Sequence, residues 1–523
     1  MDLGRIALRT LLVLLLLAGV PKASATDLRM GLESVASTAD PHAYSHVDGR
    51  TLAFHQFDPL VANDTHLQPV PALAASWSVE NELRWTFNIR PGVRFHNGKE
   101  LTATDAVYSL CRIAHLPGSG LLGSLQGIAS ATAKDRLTLV VETDVPAPLL
   151  ARNLANIAII ASPPGWEGQY HPDGCGTGPW PDGASFDKGQ VAGTGPYRLK
   201  SFTRNGETTL ARFDGYWGEV PAWETVTMLP FPDPGARNRS LVRGMVDLVN
   251  QVSAESMAFL SEQSRLRVEA STRARSIFIG VNLSPGTTTG KDGGNPLSDV
   301  RVRQAISLAI DRKALSDRLM PGMSGPAYQF MPEGMLGYDP GATSPFNIAQ
   351  ARKLLAEAGF ANGFDTTLTA VEPFARVAEG VSRYLAAVGI RVQIRFVRPG
   401  EVVDIMSRRD YALVLVSSVP LTGEFSTIAR EVFAPMDPAS GMGMQNFGGY
   451  FNDQMNVLIM KALATTDTEV RGRLLQQITA IGLQDLPFIP LLHVSRAWAM
   501  RKDLRFQARA DGHTLAQHVR PAE

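Results

Sequence analysis

The stretch Thr366-Thr-Leu-Thr-Ala-Val371, followed by Val377, Val381, Leu385 and Val388 and then by Ile390-Arg-Val-Gln-Ile-Arg-Phe396, decides the fold. The first segment reads as a strand. The four spaced apolar residues share one face of a helix, which Gly389 ends. Ile390, Val392, Ile394 and Phe396 alternate with polar residues, the period of a strand with one wet face. A short helix over residues 401–407 then precedes the fully apolar Ala412-Leu-Val-Leu-Val416. This β-α-β-α-β order implies parallel strands joined by right-handed crossovers, hence an α/β lobe. Ligands of such sheets bind beyond the carboxyl ends of the strands. Those ends are Glu372-Pro373-Phe374, Arg398-Pro399-Gly400 and Ser417-Ser418, which makes Phe374, Ser417 and Ser418 candidate ligand residues.

Outward from this segment the signals stay local. A helix is expected over residues 301–315, with Val302, Ala305, Ile306, Ala309 and Ile310 on one face and Asp299 as cap. Another runs from an Asn347 cap through Ile348, Ala351, Leu355 and Ala358 to Gly359. Nearer the amino end, Trp85, Phe87 and Ile89 alternate, Arg90-Pro91-Gly92 turns the chain, and Val93 and Phe95 resume the alternation as a hairpin would. Asn205-Gly206, between residues 197–202 and 208–213, predicts a second hairpin. Residues 162–195, dense in Gly and Pro, read as a long connection or a boundary between lobes.

Composition excludes several classes. At 523 residues, a prior of about 150 residues per domain gives about three domains. Fifty basic residues balance fifty acidic ones, so no global field exists to hold a nucleic acid. The only long apolar run, residues 11–20, has half of the roughly 20 residues a spanning helix needs. It lies between Arg5/Arg9 and Ala23-Ser24-Ala25, the order of a secretory signal peptide over residues 1–25 that is cut after Ala25. No cysteine lies near the cut, so no lipid anchor is expected there. Export places Cys111 and Cys175 in an oxidising compartment. There they either form a disulfide that pins the loop Pro172-Asp-Gly-Cys-Gly-Thr-Gly-Pro179 to a helix, or stay one buried and one exposed thiol.

A search for chemistry returns negatives. No H-E-x-x-H, C-x-x-C, G-x-S-x-G or complete phosphate loop occurs. Gly286-Thr-Thr-Thr-Gly290-Lys291 is one residue short of that loop, and Gly118-Ser-Gly120-Leu-Leu-Gly123 follows a helical pattern instead of a strand. His42 and His46 are four apart, but Pro41 and the surrounding turn residues argue against the helix that would aim both at a metal. No metal, no cofactor and no catalytic residue are expected.

Several ordered motifs resemble the extracytoplasmic solute-binding proteins of family 5, the peptide- and nickel-type receptors of ABC importers. They are Asp40-Pro41-His42, Leu73-Ala-Ala-Ser-Trp77, Trp85-Thr-Phe87, Ile89-Arg-Pro-Gly-Val-Arg-Phe-His-Asn-Gly98 and Leu101-Thr-Ala-Thr-Asp105-Ala-Val-Tyr108. Gly193-Thr-Gly-Pro-Tyr197, Asp214-Gly-Tyr-Trp217, Asp299-Val-Arg-Val-Arg-Gln-Ala-Ile306, Ala309-Ile-Asp311 and Ala351-Arg-Lys-Leu-Leu355 continue the series over nearly the whole mature chain.

The resemblance implies a type II periplasmic-binding-protein fold: two α/β lobes closing on a ligand, with a third domain inserted. The first lobe would combine residues 26–58, 189–280 and 493–523. The insertion would cover 59–188 and the second lobe 281–492. The implied activity is capture, not catalysis: a periplasmic monomer binds a peptide or a similarly sized solute and hands it to ABC permease subunits. An exported hydrolase or a ligand sensor built on the same lobes are the alternatives. The resemblance also places Ser45, His46 and Val47 near the ligand, and the region of Arg408 and Arg409 as a source of arginine for a ligand carboxylate, a pairing that bidentate guanidinium suits. Arg409 beside Asp410 reads equally as a surface ion pair. Many peptide-binding members carry an Asp after the strand at 412–416, to hold the peptide amino group. Here Ser417-Ser418-Val419-Pro420 stands instead, which points to a hydroxyl-rich, sugar-like or amide-bearing ligand. The next carboxylate, Glu424, completes the ligand candidates.

Overall fold

The computed structural model describes residues 26–43, 47–175, 178–285, 294–420, 422–437 and 441–522. The expected signal peptide, Ser45, His46 and the Gly286–Lys291 segment lie outside these described residues.

Two large sheets organise the chain. The six-stranded sheet has the order Ser324–Pro326, Phe488–Val494, Arg275–Val281, Leu413–Ser418, Asp365–Val371, Arg391–Val397. Asp365–Val371 pairs in parallel with Arg391–Val397 on one side and with Leu413–Ser418 on the other, as the β-α-β-α-β reading requires. Helix Ala375–Ala386 between them buries Val377, Ala378, Val381 and Leu385. Gly389 adopts φ 86°, a value that costs glycine nothing and closes that crossover. The seven-stranded sheet has the order Leu266–Ala270, Ala497–Arg501, Leu248–Val249, Asp27–Leu32, Thr225–Pro230, Thr208–Arg212, Tyr197–Phe202. Its strands come from three separated stretches of sequence, and Tyr197–Phe202 with Thr208–Arg212 forms the hairpin that Asn205-Gly206 announces.

Between Gln56 and Gly193 the chain builds a separate four-stranded sheet, Ala74–Glu80, Arg84–Ile89, Thr138–Thr143, Ile128–Asp135, backed by helix Ala103–His115. Cys111 on that helix is disulfide-bonded to Cys175, with Cα atoms 5.6 Å apart. The motif residues hold the junctions. Gly193 and Gly195 pass against the backbone of Gln56 and Phe57 so closely that a Cβ on Gly193 would lie 2.0 Å from the Gln56 carbonyl oxygen. Asp58 beside them accepts from Thr194 Oγ1 (2.9 Å), Trp217 Nε1 (2.8 Å) and Tyr216 OH (3.2 Å). Arg112 donates to both oxygens of Asp40 and to His42 Nδ1, while His42 Nε2 donates to the Ala158 carbonyl (2.8 Å).

Three expectations fail. Residues 301–315 form two helices, Val300–Ala309 and Arg312–Leu319, because Ile310 is extended and Asp311 caps a new helix through the Ala314 N–H. Val93 and Phe95 are buried in a loop and not in a strand, since Thr138–Thr143 occupies the ladder of Arg84–Ile89 that a hairpin would have used. The strands Arg275–Val281 and Phe488–Val494 both belong to the six-stranded sheet. The chain therefore crosses between sheets at residues 271–274 and 495–496, not at 280/281 and 492/493, because the ladder between the two strands runs out to the pair Arg275 and Val494.

Candidate functional site

The two crossing segments run side by side. Ser271 N–H donates to the Arg496 carbonyl (2.9 Å), and Arg496 N–H donates to Ser271 Oγ (3.1 Å). Strand ends from both sheets gather beside this double crossing.

On the seven-stranded side, Asp27–Leu32 is parallel to Thr225–Pro230 and to Leu248–Val249, so their carboxyl ends lie together. Buried Arg237 ties them, donating to the carbonyls of Asn250 (3.0 Å), Phe231 (2.6 Å) and Gln251 (3.1 Å). Asn250 Oδ1 in turn accepts the Glu33 N–H (2.8 Å). The Glu33 backbone is thus held at the first position past its strand, and its exposed carboxylate has no hydrogen-bonded partner among the described residues. Ser34 Oγ donates to Asp48 in the first turn of helix Val47–Gln56.

On the six-stranded side, the carboxyl ends of Asp365–Val371 and Leu413–Ser418 open into an apolar pocket of about 610 Å³, walled by Phe374, Met406, Val416, Phe433 and Phe447. Ser417, Ser418 and Arg275 form its polar edge. Arg275 Nη1 donates to Ser417 Oγ at 3.0 Å. Burial, and then the neighbouring Arg496 cation, push Arg275 down to about 10. Arg496 is lowered by burial too, against the opposing pull of Asp511, Asp48 and Glu33. Its guanidinium lies over Gly512, where a Cβ would fall 2.2 Å from Nη1. Among the described residues neither Arg275 nor Arg496 has a carboxylate within ion-pair distance. Two half-buried cations without an ion-pair partner among the described residues therefore stand near one apolar pocket, which Arg275 lines, and Arg496 feels the charges of Asp511, Asp48 and Glu33.

The structure brings Phe374, Ser417 and Ser418 together in that pocket, and its methyl and aromatic walls do not match the hydroxyl-rich ligand inferred from the two serines. Val47 opens helix Val47–Gln56, next to Asp48. Arg408 and Arg409 do not reach the cleft. They precede Leu413–Ser418, at its amino end, and both are exposed. The Arg409 carbonyl accepts from Asn282 Nδ2, and Asp410 pairs with Arg395 (2.9 Å) instead of Arg409. Glu424 is also misplaced as a ligand residue. It is fully buried, bound by Arg471 (3.1 Å), Arg152 (3.5 Å) and Ser426 Oγ, and joins the six-stranded half to the unit built on the four-stranded sheet. Its isolation in the sequence hid both arginines. Sequence reasoning missed Glu33, Asp48, Arg275 and Arg496. Glu33 was findable as the residue after a parallel strand, but Arg275 starts an antiparallel strand, so only the pairing reveals its end of the sheet. His42 is spent inside the fold, held neutral at about 4 mainly by burial, and no trio of His, Cys, Asp or Glu is placed to hold a metal among the described residues.

Two α/β sheets joined by two adjacent crossing segments, with strand carboxyl ends gathered beside them, define a binding protein of the two-lobed kind. The chain belongs to the bacterial extracellular solute-binding proteins, family 5, which it matches over residues 68–433. It is 25% identical over 503 residues to the glutathione-binding protein GsiB of Salmonella paratyphi A, covering 93% of each chain. Its fold is that of HbpA2 from Haemophilus parasuis (TM-score 0.78, 21% identity, 95% of this chain and 100% of that one). It is also that of the periplasmic binding protein DppA from Helicobacter pylori in complex with the peptide STSA (TM-score 0.73, 20% identity, 95% and 98%). The fold is thus a type II periplasmic-binding-protein fold, and the protein is a solute-binding protein.

Proposed function

We propose that this protein is exported, cut after Ala25, and works in the periplasm as a monomer that captures a small peptide-class solute and delivers it to an ABC permease. The first lobe is built on the seven-stranded sheet, the second on the six-stranded sheet, and the insertion spans about residues 59–188. The observation that carries this reading is the cleft. Strand carboxyl ends from both sheets frame it, and the chain crosses between the sheets at two adjacent short segments that can act as a hinge. Closure is then a population shift driven by a solute that contacts both lobes at once. The likeness to a glutathione-binding protein and to a peptide complex supports a short peptide as cargo. Mass spectrometry of molecules released from the purified, denatured protein, with small-angle scattering before and after adding di- and tripeptides, tests it. Binding accompanied by a smaller radius of gyration is the expected result. Absence of any bound peptide, with no compaction, would remove the assignment.

A further inference from the structure

We propose that the cleft takes its solute with one polarity: a free carboxylate end on Arg275 and Arg496, the side chain of that terminal residue in the apolar pocket beside Ser417, and an ammonium end toward Glu33. This rests on the reading of the protein as a receptor for peptide-class solutes and adds the direction and the terminal residue it selects.

Three features impose the direction. First, the two arginines lie on neighbouring segments, Arg275 pairing with Val494 two residues before Arg496, are half-buried, and have no carboxylate within ion-pair distance among the described residues. An anion seated between them would neutralise both, and charge-assisted bonds from guanidinium to carboxylate are the strong ones. Both groups are already positioned, Arg275 by Ser417 and Arg496 by its seat over Gly512, so little order is lost on binding. Second, Arg275 lies on the edge of the apolar pocket, so a carboxylate held there places its own residue's side chain against Phe374, Val416 and Phe433. A charged side chain would lose its hydration in that space and find no partner. Third, the first lobe offers the ammonium an exposed carboxylate across from the arginines. In the second lobe the carboxylate that follows the strand, Glu424, is buried between Arg471 and Arg152. On the first lobe Glu33 is exposed, held in place through Asn250 and unpartnered among the described residues.

Calorimetric titration of the mature protein with Ala-Ala-Phe, Phe-Ala-Ala and Ala-Ala-Phe-amide tests the proposal. Moving the Phe from pocket to solvent should weaken Phe-Ala-Ala by about 10-fold or more. Amidation, which removes the charge, should weaken binding by about 10- to 150-fold. Arg275→Gln should bind the acid and the amide within about threefold of each other, whereas Arg408→Gln should leave the wild-type discrimination intact. Should Arg275→Gln not fold, the three-ligand comparison on the wild-type protein still decides. Equal affinity for acid and amide, or a preference for Phe-Ala-Ala, overturns the polarity while leaving the receptor assignment standing. Failure of all three to bind, with no compaction in scattering, overturns the receptor assignment and the polarity with it.

Discussion

Glu424 separates the order of residues along the chain from their arrangement in space, and its conversion to Gln is the sharpest test of that arrangement. The side chain is fully buried and accepts from Arg471 Nε (3.2 Å) and Nη2 (3.1 Å), with Arg152 Nε at 3.5 Å. Glu424→Gln keeps volume and removes the charge, which leaves two buried guanidiniums uncompensated. Breaking a buried ion pair from one side costs about 3–5 kcal/mol. The lower end applies here, because Arg471 keeps the carbonyls of Thr465 and Thr466, and Arg152 keeps those of Leu67 and Thr422. The loss falls on the contact between inserted sheet and second lobe, so a multi-domain chain should show it as a low-temperature transition splitting away, not as one shifted midpoint. Differential scanning calorimetry reads this directly. Arg152→Met combined with Glu424→Gln should then cost less than the sum of the two, with a coupling of about 0.5–3 kcal/mol. Affinity for whatever solute fills the cleft should stay within about twofold, since the ion cluster contributes nothing to its walls. If the transitions do not move while solute affinity falls tenfold, Glu424 is a ligand residue and the structural reading is wrong.

Gly193→Ala should destabilise by at least the roughly 1–3 kcal/mol of an overpacked site, because its Cβ meets a carbonyl oxygen at 2.0 Å and a backbone atom cannot rotate away; urea midpoints of wild type and variant measure it, and equal midpoints would refute the close approach. Opening the Cys111–Cys175 bridge, 64 residues apart in sequence, should cost about 4 kcal/mol on the chain-entropy view. Thermal unfolding with and without reductant should differ, and a Cys111→Ala/Cys175→Ala variant should lose that difference. His42 and His55 are both held at about 4, mainly by burial, against 6.5 for a free imidazole. His55 Nδ1 donates to the Thr51 carbonyl while Nε2 accepts the Ala516 N–H, so only the neutral ring fits. A depressed histidine binds its proton in the unfolded chain first. Its contribution is therefore complete above pH 6.5 and is lost as pH falls toward 4, by up to about 1.4 kcal/mol per pH unit for each ring. Urea unfolding at pH 7, 6 and 5 should show that fall, and a flat profile would contradict it.

Legibility in the sequence followed the range of the interaction. The parallel unit at 365–418 was readable because strand alternation, helix period and the glycine stop are all local signals, and the Asn347 and Asp299 caps bond as their types predict. The second sheet was not readable as a sheet, because strand Leu248–Val249 has two residues and its neighbours come from stretches hundreds of positions apart. The candidate site divides the same way. Phe374, Ser417 and Ser418 follow from strand direction alone. Arg275 and Arg496 follow only from knowing that the chain crosses at 271–274 and 495–496, and no periodicity marks a crossing. Glu424 and Arg409 failed for a related reason: position after or before a strand does not say which partner, Arg471 or Asn282, the folded chain brings to meet it.

In the proposed binding mode the same crossings carry both recognition and closure, with no relay needed between them. Arg496 sits within one crossing segment and Arg275 is the first residue after the other. A solute held by these two side chains touches the hinge itself, and one that also reaches Glu33 touches the opposite lobe. Moving a receptor from 1:99 to 99:1 in favour of the closed form takes a differential affinity of about 10⁴-fold. Contacts with one lobe bind the open and closed forms equally and shift nothing. The discriminating energy must come from groups whose separation changes on closing, which in the proposed binding mode are the guanidiniums at the crossing and the Glu33 carboxylate. Glu33→Gln should accordingly weaken closure more than initial capture, whereas Arg275→Gln should weaken both. Stopped-flow fluorescence, which resolves a fast binding phase from a slower closing phase, separates the two effects. Equal losses in both phases for both variants would place the closing energy elsewhere in the cleft.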